Sequence, residues 1–280
     1  MRRMNLRTNN LFLRLGAAMV IAVVAAVAGC TGGGSAGGPA AGSPASPPEI
    51  RVYQAMADPM ESDPLGNPAW RSAPWYSLTG ALNDPRSGPA TRAALLYDAD
   101  NLYIAFVSDA EPTPGGSDSV EIWLDSSSAH NGKELYSVDI KQDGGVSTAW
   151  YRATSPAQPK ADGSPDYSQP ILQIANPVLA GLVAKPGKGS SDGRPVWTMV
   201  VKMPLHSLPG PLRTDGVEGA RWRMNLLRYN VEAPAAGGDP IVIQSNLAPI
   251  YQASQAVSPY RMAEVVLQGP RGVAQGDGAP

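Results

Sequence analysis

Residues 118–125 read DSVEIWLD. Val120, Ile122 and Leu124 alternate with Glu121, Trp123 and Asp125. Successive side chains of a strand point to opposite faces, so the octet predicts a strand with one aliphatic face. Its other face carries two carboxylates flanking an indole. The aliphatic face requires a core to bury it. The second face offers hydrogen-bond acceptors beside an aromatic surface.

The surrounding sequence repeats the pattern. TRAALLYD (91–98) and NLYIAFVSD (101–109) are apolar runs parted by the turn residues Asp98-Ala99-Asp100-Asn101, which predicts a hairpin. LYSVDIKQ (135–142) turns at Asp143-Gly144-Gly145 into VSTAWYR (146–152), a second hairpin. PVWTMVVKMP (195–204), RWRMNLLRYN (221–230) and YRMAEVVL (260–267) bring the predicted strands to at least eight. Long amphipathic helical patterns are absent from the sequence, and prolines fall at strand ends and in loops. The expected fold is all-β: an antiparallel β-sandwich of jelly-roll or immunoglobulin-like type. Long loops are expected near 110–117, 153–170, 183–194 and 231–258, where functional residues commonly sit.

The chain of 280 residues divides by composition. Arg2, Arg3, Arg7 and Arg14 precede the uncharged run LGAAMVIAVVAAVAG and Cys30. A basic start, a short apolar stretch and small residues before a cut site read as a secretory signal peptide over 1–30. The run is shorter than the roughly 20 residues that span a bilayer. V-A-G-C resembles the bacterial lipobox, which implies lipidation at Cys30 and membrane attachment through that lipid. Thr31 in place of aspartate points to the outer membrane of the cell envelope. Residues 31–48 form a Gly/Ala/Ser/Pro tether, flexible and lifting the domain off the lipid. Its G-G-S-A-G lacks the strand and helix that a hydrolase nucleophile elbow needs. The globular domain is expected over 49–268 and a disordered tail over 269–280.

Cys30 is the single cysteine, which excludes a disulfide framework, a cysteine nucleophile and a zinc–thiolate site. The whole chain holds 22 basic and 24 acidic residues. Residues 1–30 contain four of the arginines and no acid, so the remainder carries 18 against 24. That acidic balance, without a Lys/Arg cluster, argues against nucleic acid as a partner.

Taken in order, TRAALLYDADNLYIAFVSDAEP, DSVEIWLD, VWTMVVKMPLHSL, RWRMNLLRYN and YRMAEVVL resemble the family 9 carbohydrate-binding modules and their relatives. The resemblance runs from about Ala69-Trp70 to Leu267. It implies a β-sandwich, bound calcium in many members, and carbohydrate binding without catalysis. The resemblance assigns Glu121 to ligand hydroxyls and Asp139 to a second polar contact on the following strand. Ser137 and Lys141 stand beside Asp139. Trp123 suits a wall against the C–H face of a sugar. The family's two-tryptophan clamp on a terminal sugar does not take its usual form here. The loop EPTPGGS has no aromatic, and IYQASQAVSPY offers Tyr251 and Tyr260. Asn225 and Arg228 resemble the family's wrxNxxR strand and read either as ligand contacts or as a structural pair.

Other features have plainer readings. Trp70 and Trp75, in NPAWRSAPW, read as caps on the sandwich core, and Trp197 and Trp222 as core. Asp98, Asp100, Asp109, Glu111, Asp118 and Asp125 crowd hairpin and loop ends and read mostly as turn residues and solvated charges, while the resemblance implies structural calcium among them. His130 and His206 have no metal-binding spacing. G-L-V-A-K-P-G-K-G (181–189) resembles a phosphate loop only loosely. Two rivals to sugar binding stand: an envelope scaffold lipoprotein with an unused sugar site, and a haem-binding redox subunit using Met199, Lys202 and Met203. A glycosidase built on Glu121 and Asp139 is the sharpest enzymatic alternative.

Overall fold

Apolar alternation builds strands that need two layers to bury their inner faces, and the computed structural model has that form. It describes residues 47–80, 88–109, 118–125, 135–153, 171–176, 179–208, 218–232, 241–248 and 261–270, all within the unit Ala45–Pro280. The signal-peptide reading, Cys30, His130, Glu111 and Tyr251 lie outside these residues, as do the tether up to residue 46 and the tail from 271.

Among the described residues thirteen strands are formed: β1 Glu49–Gln54, β2 Trp75–Gly80, β3 Thr91–Tyr97, β4 Asn101–Ser108, β5 Ser119–Asp125, β6 Leu135–Lys141, β7 Val146–Ala153, β8 Ile171–Ala175, β9 Val183–Ser191, β10 Arg194–Pro204, β11 Arg221–Glu232, β12 Ile241–Asn246 and β13 Ala263–Gln268. One layer runs β8-β7-β6-β5-β11 and the other β3-β4-β10-β9. Two strand pairs join the layers along one side. The pair β12–β2 connects Leu227–Glu232 of β11 to Thr91–Ala94 of β3. The pair β13–β1 connects Arg221–Met224 of β11 to Leu96–Tyr97 of β3.

The sheet is mixed, a correction to the purely antiparallel expectation. β1 runs parallel to both β13 and β3. A twenty-residue excursion separates β1 from β2, so no tight turn forces the two into an antiparallel hairpin. β9 and β12 lie inside stretches expected to be loops. β9 reads VAKPGKGSS and forms the edge of its layer. Proline and lysine are tolerated there because one side of the strand has no ladder to complete. The loose phosphate-loop match is therefore part of a strand. Gly187 and Gly189 are needed for close approach: a Cβ at Gly187 would come within 2.6 Å of Thr198 Oγ1, and one at Gly189 within 3.1 Å of the Leu65 side chain.

The core follows the alternation. Val120, Ile122 and Leu124 face Phe106, Ile104 and Leu102 from the opposite layer, with Trp197, Met199, Trp222 and Met224 completing it. Each such aliphatic side chain, fully buried, contributes roughly 1.5–3 kcal/mol. A second cluster lies outside the β3-β4-β10 layer. There Ala94, Leu96, Tyr103, Ala105 and Val200 are covered by Trp70, Ala69 and Ala73. Trp70 donates its indole N–H to Pro59 O (3.0 Å). Trp70 thus seals the outer face of a sheet and does not cap the inter-sheet core, because 55–74 is long enough to fold back over that face.

Candidate functional site

The register fixes what the other outer face presents. β5 lies between β11 and β6, with Trp123 opposite Asn225 and Ser137, and Glu121 opposite Leu227 and Asp139. Across β6, Asp139 meets Ser147 and Leu135 meets Tyr151 on β7. Alternation then puts Glu121, Trp123, Asp125, Ser137, Asp139, Ser147, Tyr151, Asn225 and Tyr229 on one face, opposite the core.

The carboxylates and the indole differ in environment. Glu121 and Asp139 are half-buried and Ser147 is exposed. Glu121 Oε2 accepts from the Tyr229 hydroxyl (2.9 Å), and Asp139 Oδ2 accepts from Ser147 Oγ (3.4 Å). Burial pushes Glu121 up to about 7, with the Trp123 and Tyr229 hydrogens pulling the other way and Asp139 reinforcing the rise. The Trp123 N–H lies near enough to favour the charged form, yet its Nε1 makes no hydrogen bond of good geometry. Burial raises Asp139 as well, opposed by Ser119, Ser147 and Lys141. The Tyr229 hydroxyl is held well above its ordinary value by burial and by Glu121. Charging this face costs desolvation, which a ligand that donates to the carboxylates would offset.

Trp123 is only 6% exposed. It packs with Leu135, Leu227 and Met262, and Tyr151 lies against it at 5.1 Å between ring centroids, 31° apart. The indole is the floor of the face and not a free stacking wall. The half-buried rings of Tyr151 and Tyr229 hold the outward positions. Asp125 is 1% exposed, so the acid–indole–acid edge is open only at its Glu121 end.

Two further expected contacts are committed elsewhere. Asn225 shares the Trp123 face but is fully buried, and its Oδ1 accepts from Ala248 N (3.1 Å). Arg228 sits on the opposite, inward face of β11. Its Nη2 pairs with Asp118 Oδ2 at 2.8 Å, their side chains 2% and 0% exposed, and its guanidinium lies 4.7 Å from the Trp197 ring. Asp118 Oδ1 also accepts from Val231 N (2.6 Å). Burial lowers the Arg228 pKa while Asp118 resists that loss. Arg228 is spent on this buried pair and does not reach the outer face, a correction to the expected ligand contact.

The acids proposed for calcium do not assemble a site among the described residues. Asp98 is filled by the amides of Asp100 and Asn101 and by the Tyr103 hydroxyl (2.8, 2.7 and 2.6 Å), whereas Asp118 is spent on Arg228. The haem ligands do not converge either. Met199 and Met203 are 0% exposed in the core, and Lys202, in the alternate register, lines a cavity of about 450 Å³ on the opposite side of the sheet. That cavity also holds Asp58, Asp98, Asn101 and Tyr103, far from Glu121 in the topology, and belongs to the sealed face.

No family model matches the chain, and no curated protein does. Among solved structures, a presumed carbohydrate-binding protein from Bacteroides uniformis matches with a TM-score of 0.50 at 11% identity, covering 80% of this chain and all of that one. Two structures of a family 9 carbohydrate-binding module from Caldicellulosiruptor kristjanssonii match more loosely, each at TM-score 0.43 and 15% identity. The glucose complex covers 79% of this chain and 97% of that one. The cellotriose complex covers 82% and 100%. The Bacteroides likeness shows a shared fold.

Proposed function

We propose that this chain is a non-catalytic carbohydrate-binding protein that uses the outer face of the β11-β5-β6-β7 layer. The observation carrying this reading is Glu121: a half-buried carboxylate held by Tyr229 and paired across the strand with Asp139. Such a pair accepts from vicinal sugar hydroxyls, and charge-assisted hydrogen bonds of this kind are stronger than neutral ones. The fold shared with a presumed carbohydrate-binding protein supports the same reading. Catalysis is disfavoured by placement. The two carboxylates stand side by side on one sheet face, whereas a glycosidase flanks the scissile bond with its pair.

The sequence at Cys30 supports attachment of the mature protein to the envelope through a lipid, with the outer membrane as its location. Labelling of cells with radioactive palmitate tests the anchor; label that persists in Cys30→Ala contradicts it. The sugar reading is tested by a glycan-array screen followed by calorimetry on the positives. Binding that falls at least about tenfold in Glu121→Gln, the scale of one charged hydrogen bond, is expected. A blank array, or binding indifferent to that change, contradicts it. The burial of Trp123 favours one second reading, an envelope scaffold whose sugar face is unused, and a blank array is its expected result.

A further inference from the structure

We infer that the carboxylate face takes an internal stretch of an extended glycan chain laid across the strands, not the end of a chain. The inference rests on the carbohydrate reading above and specifies its ligand. Glu121, Asp139 and Ser147 are successive cross-strand partners on β5, β6 and β7. They therefore form a straight polar row perpendicular to the strands. Neighbouring strands lie about 4.8 Å apart, so the row spans roughly 10 Å. That pitch is close to the advance per sugar of an extended, equatorially linked glycan. Each polar residue then meets the hydroxyls of a successive sugar.

Among the described residues the row is also open at one end. Exposure increases along it, from half-buried Glu121 and Asp139 to exposed Ser147. β8 pairs with β7 only over Trp150–Ala153, so among the described strands nothing continues the sheet beyond Ser147. A chain can run past that edge. A site that sandwiches a terminal sugar would need two ring faces opposed across an empty slot. Among the described residues Tyr229 reaches the row through its hydroxyl bond to Glu121 (2.9 Å), and Trp123 and Tyr151 rest on each other at 5.1 Å between ring centroids. The remaining surroundings of Trp123 are Leu135, Leu227 and Met262. The Trp123–Tyr151 pair closes on itself and leaves no slot between its two rings.

Calorimetry on the full-length protein with glucose, cellobiose, cellotriose and cellotetraose, the matching xylose series, and borohydride-reduced cellotetraose tests the inference. In the series that binds, affinity should rise about tenfold from monosaccharide to trisaccharide, the factor one added charged hydrogen bond supplies. Reduction of the chain end should leave tetrasaccharide affinity unchanged. Asp139→Asn should lower the ratio of trisaccharide to monosaccharide affinity. Affinity independent of length, loss of binding on end reduction, or an unchanged ratio in Asp139→Asn overturns the chain-lying mode while carbohydrate binding stands. No binding by either series, together with a blank array, overturns both.

Discussion

The two outer faces of the sandwich arise from the same strand alternation and end differently. Outside β3-β4-β10 a patch of small or apolar residues, among them Ala94, Leu96, Ala105 and Val200, is covered where the chain folds back over it with Trp70. Outside β11-β5-β6-β7 the row contains Glu121, Asp139 and Ser147, flanked by Tyr151 and Tyr229. A face that its own chain can cover with apolar contact becomes core. A face carrying carboxylates resists such cover, because each buried charge needs a partner. The contrast explains why the same residue type plays two parts: Trp70 seals one face, whereas Trp123 supports the polar row of the other.

The largest expected effect lies between the faces, at the buried ion pair that ties the start of β5 to β11. Arg228→Ala leaves Asp118 charged and unpaired and should cost ~3–5 kcal/mol in urea unfolding. A loss below about 1 kcal/mol would mean the pair is dispensable. Next comes the sealed face. Trp70→Ala should cost ~3–5 kcal/mol in the same assay, at the lower end if the 55–74 segment collapses onto the gap. Glycan affinity of the folded protein should be retained. A selective loss of affinity there would move the ligand to the wrong face.

The polar face should respond to pH. Glu121 is raised to about 7 in the fold against an ordinary glutamate value of about 4.3. A carboxyl whose folded pKa is raised binds its proton more tightly when folded. Its contribution therefore favours the fold at low pH and is lost as pH climbs from about 4.5 to about 7. Allowing for solvent at this half-buried group, the fall should be ~1–2 kcal/mol. Glu121→Gln should flatten it. A wild-type melting profile that does not decline across this window, or a variant that declines equally, contradicts the environment assigned to Glu121. The smallest effect belongs to the exposed pair of Arg221 with Glu264 (2.7 Å). Arg221→Ala should shift the unfolding midpoint only slightly, and not at all in high salt.

Much of this was legible in the sequence, and what was not has identifiable causes. Alternation located both hairpins and β5, β10 and β11, and it put Glu121, Trp123 and Asp139 on non-core faces. Parity also separates Met199 and Met203 from Lys202 and Arg228 from Asn225, which a strict reading of each strand already implies. The burial of Trp123 was not legible. Leu227 on β11 and Met262 just before β13 reach it from a hundred or more residues away, and local periodicity carries no record of which strands are neighbours. Tyr229 escaped notice for the same reason: its phase within RWRMNLLRYN is visible, but its partner Glu121 is supplied by the β5–β11 pairing. β9 and β12 were missed because an edge strand tolerates the glycines, prolines and polar residues that ordinarily signal a loop.

The central claim, that ligand engages the carboxylate face, is tested most directly by the indole N–H resonances of the six tryptophans during titration with the glycan that binds. The account predicts movement of Trp123, beneath Glu121 and Tyr151, while Trp70 on the sealed face and Trp197 and Trp222 in the core stay fixed. Movement confined to Trp70 and Trp75, with Trp123 unmoved at saturation, would contradict it.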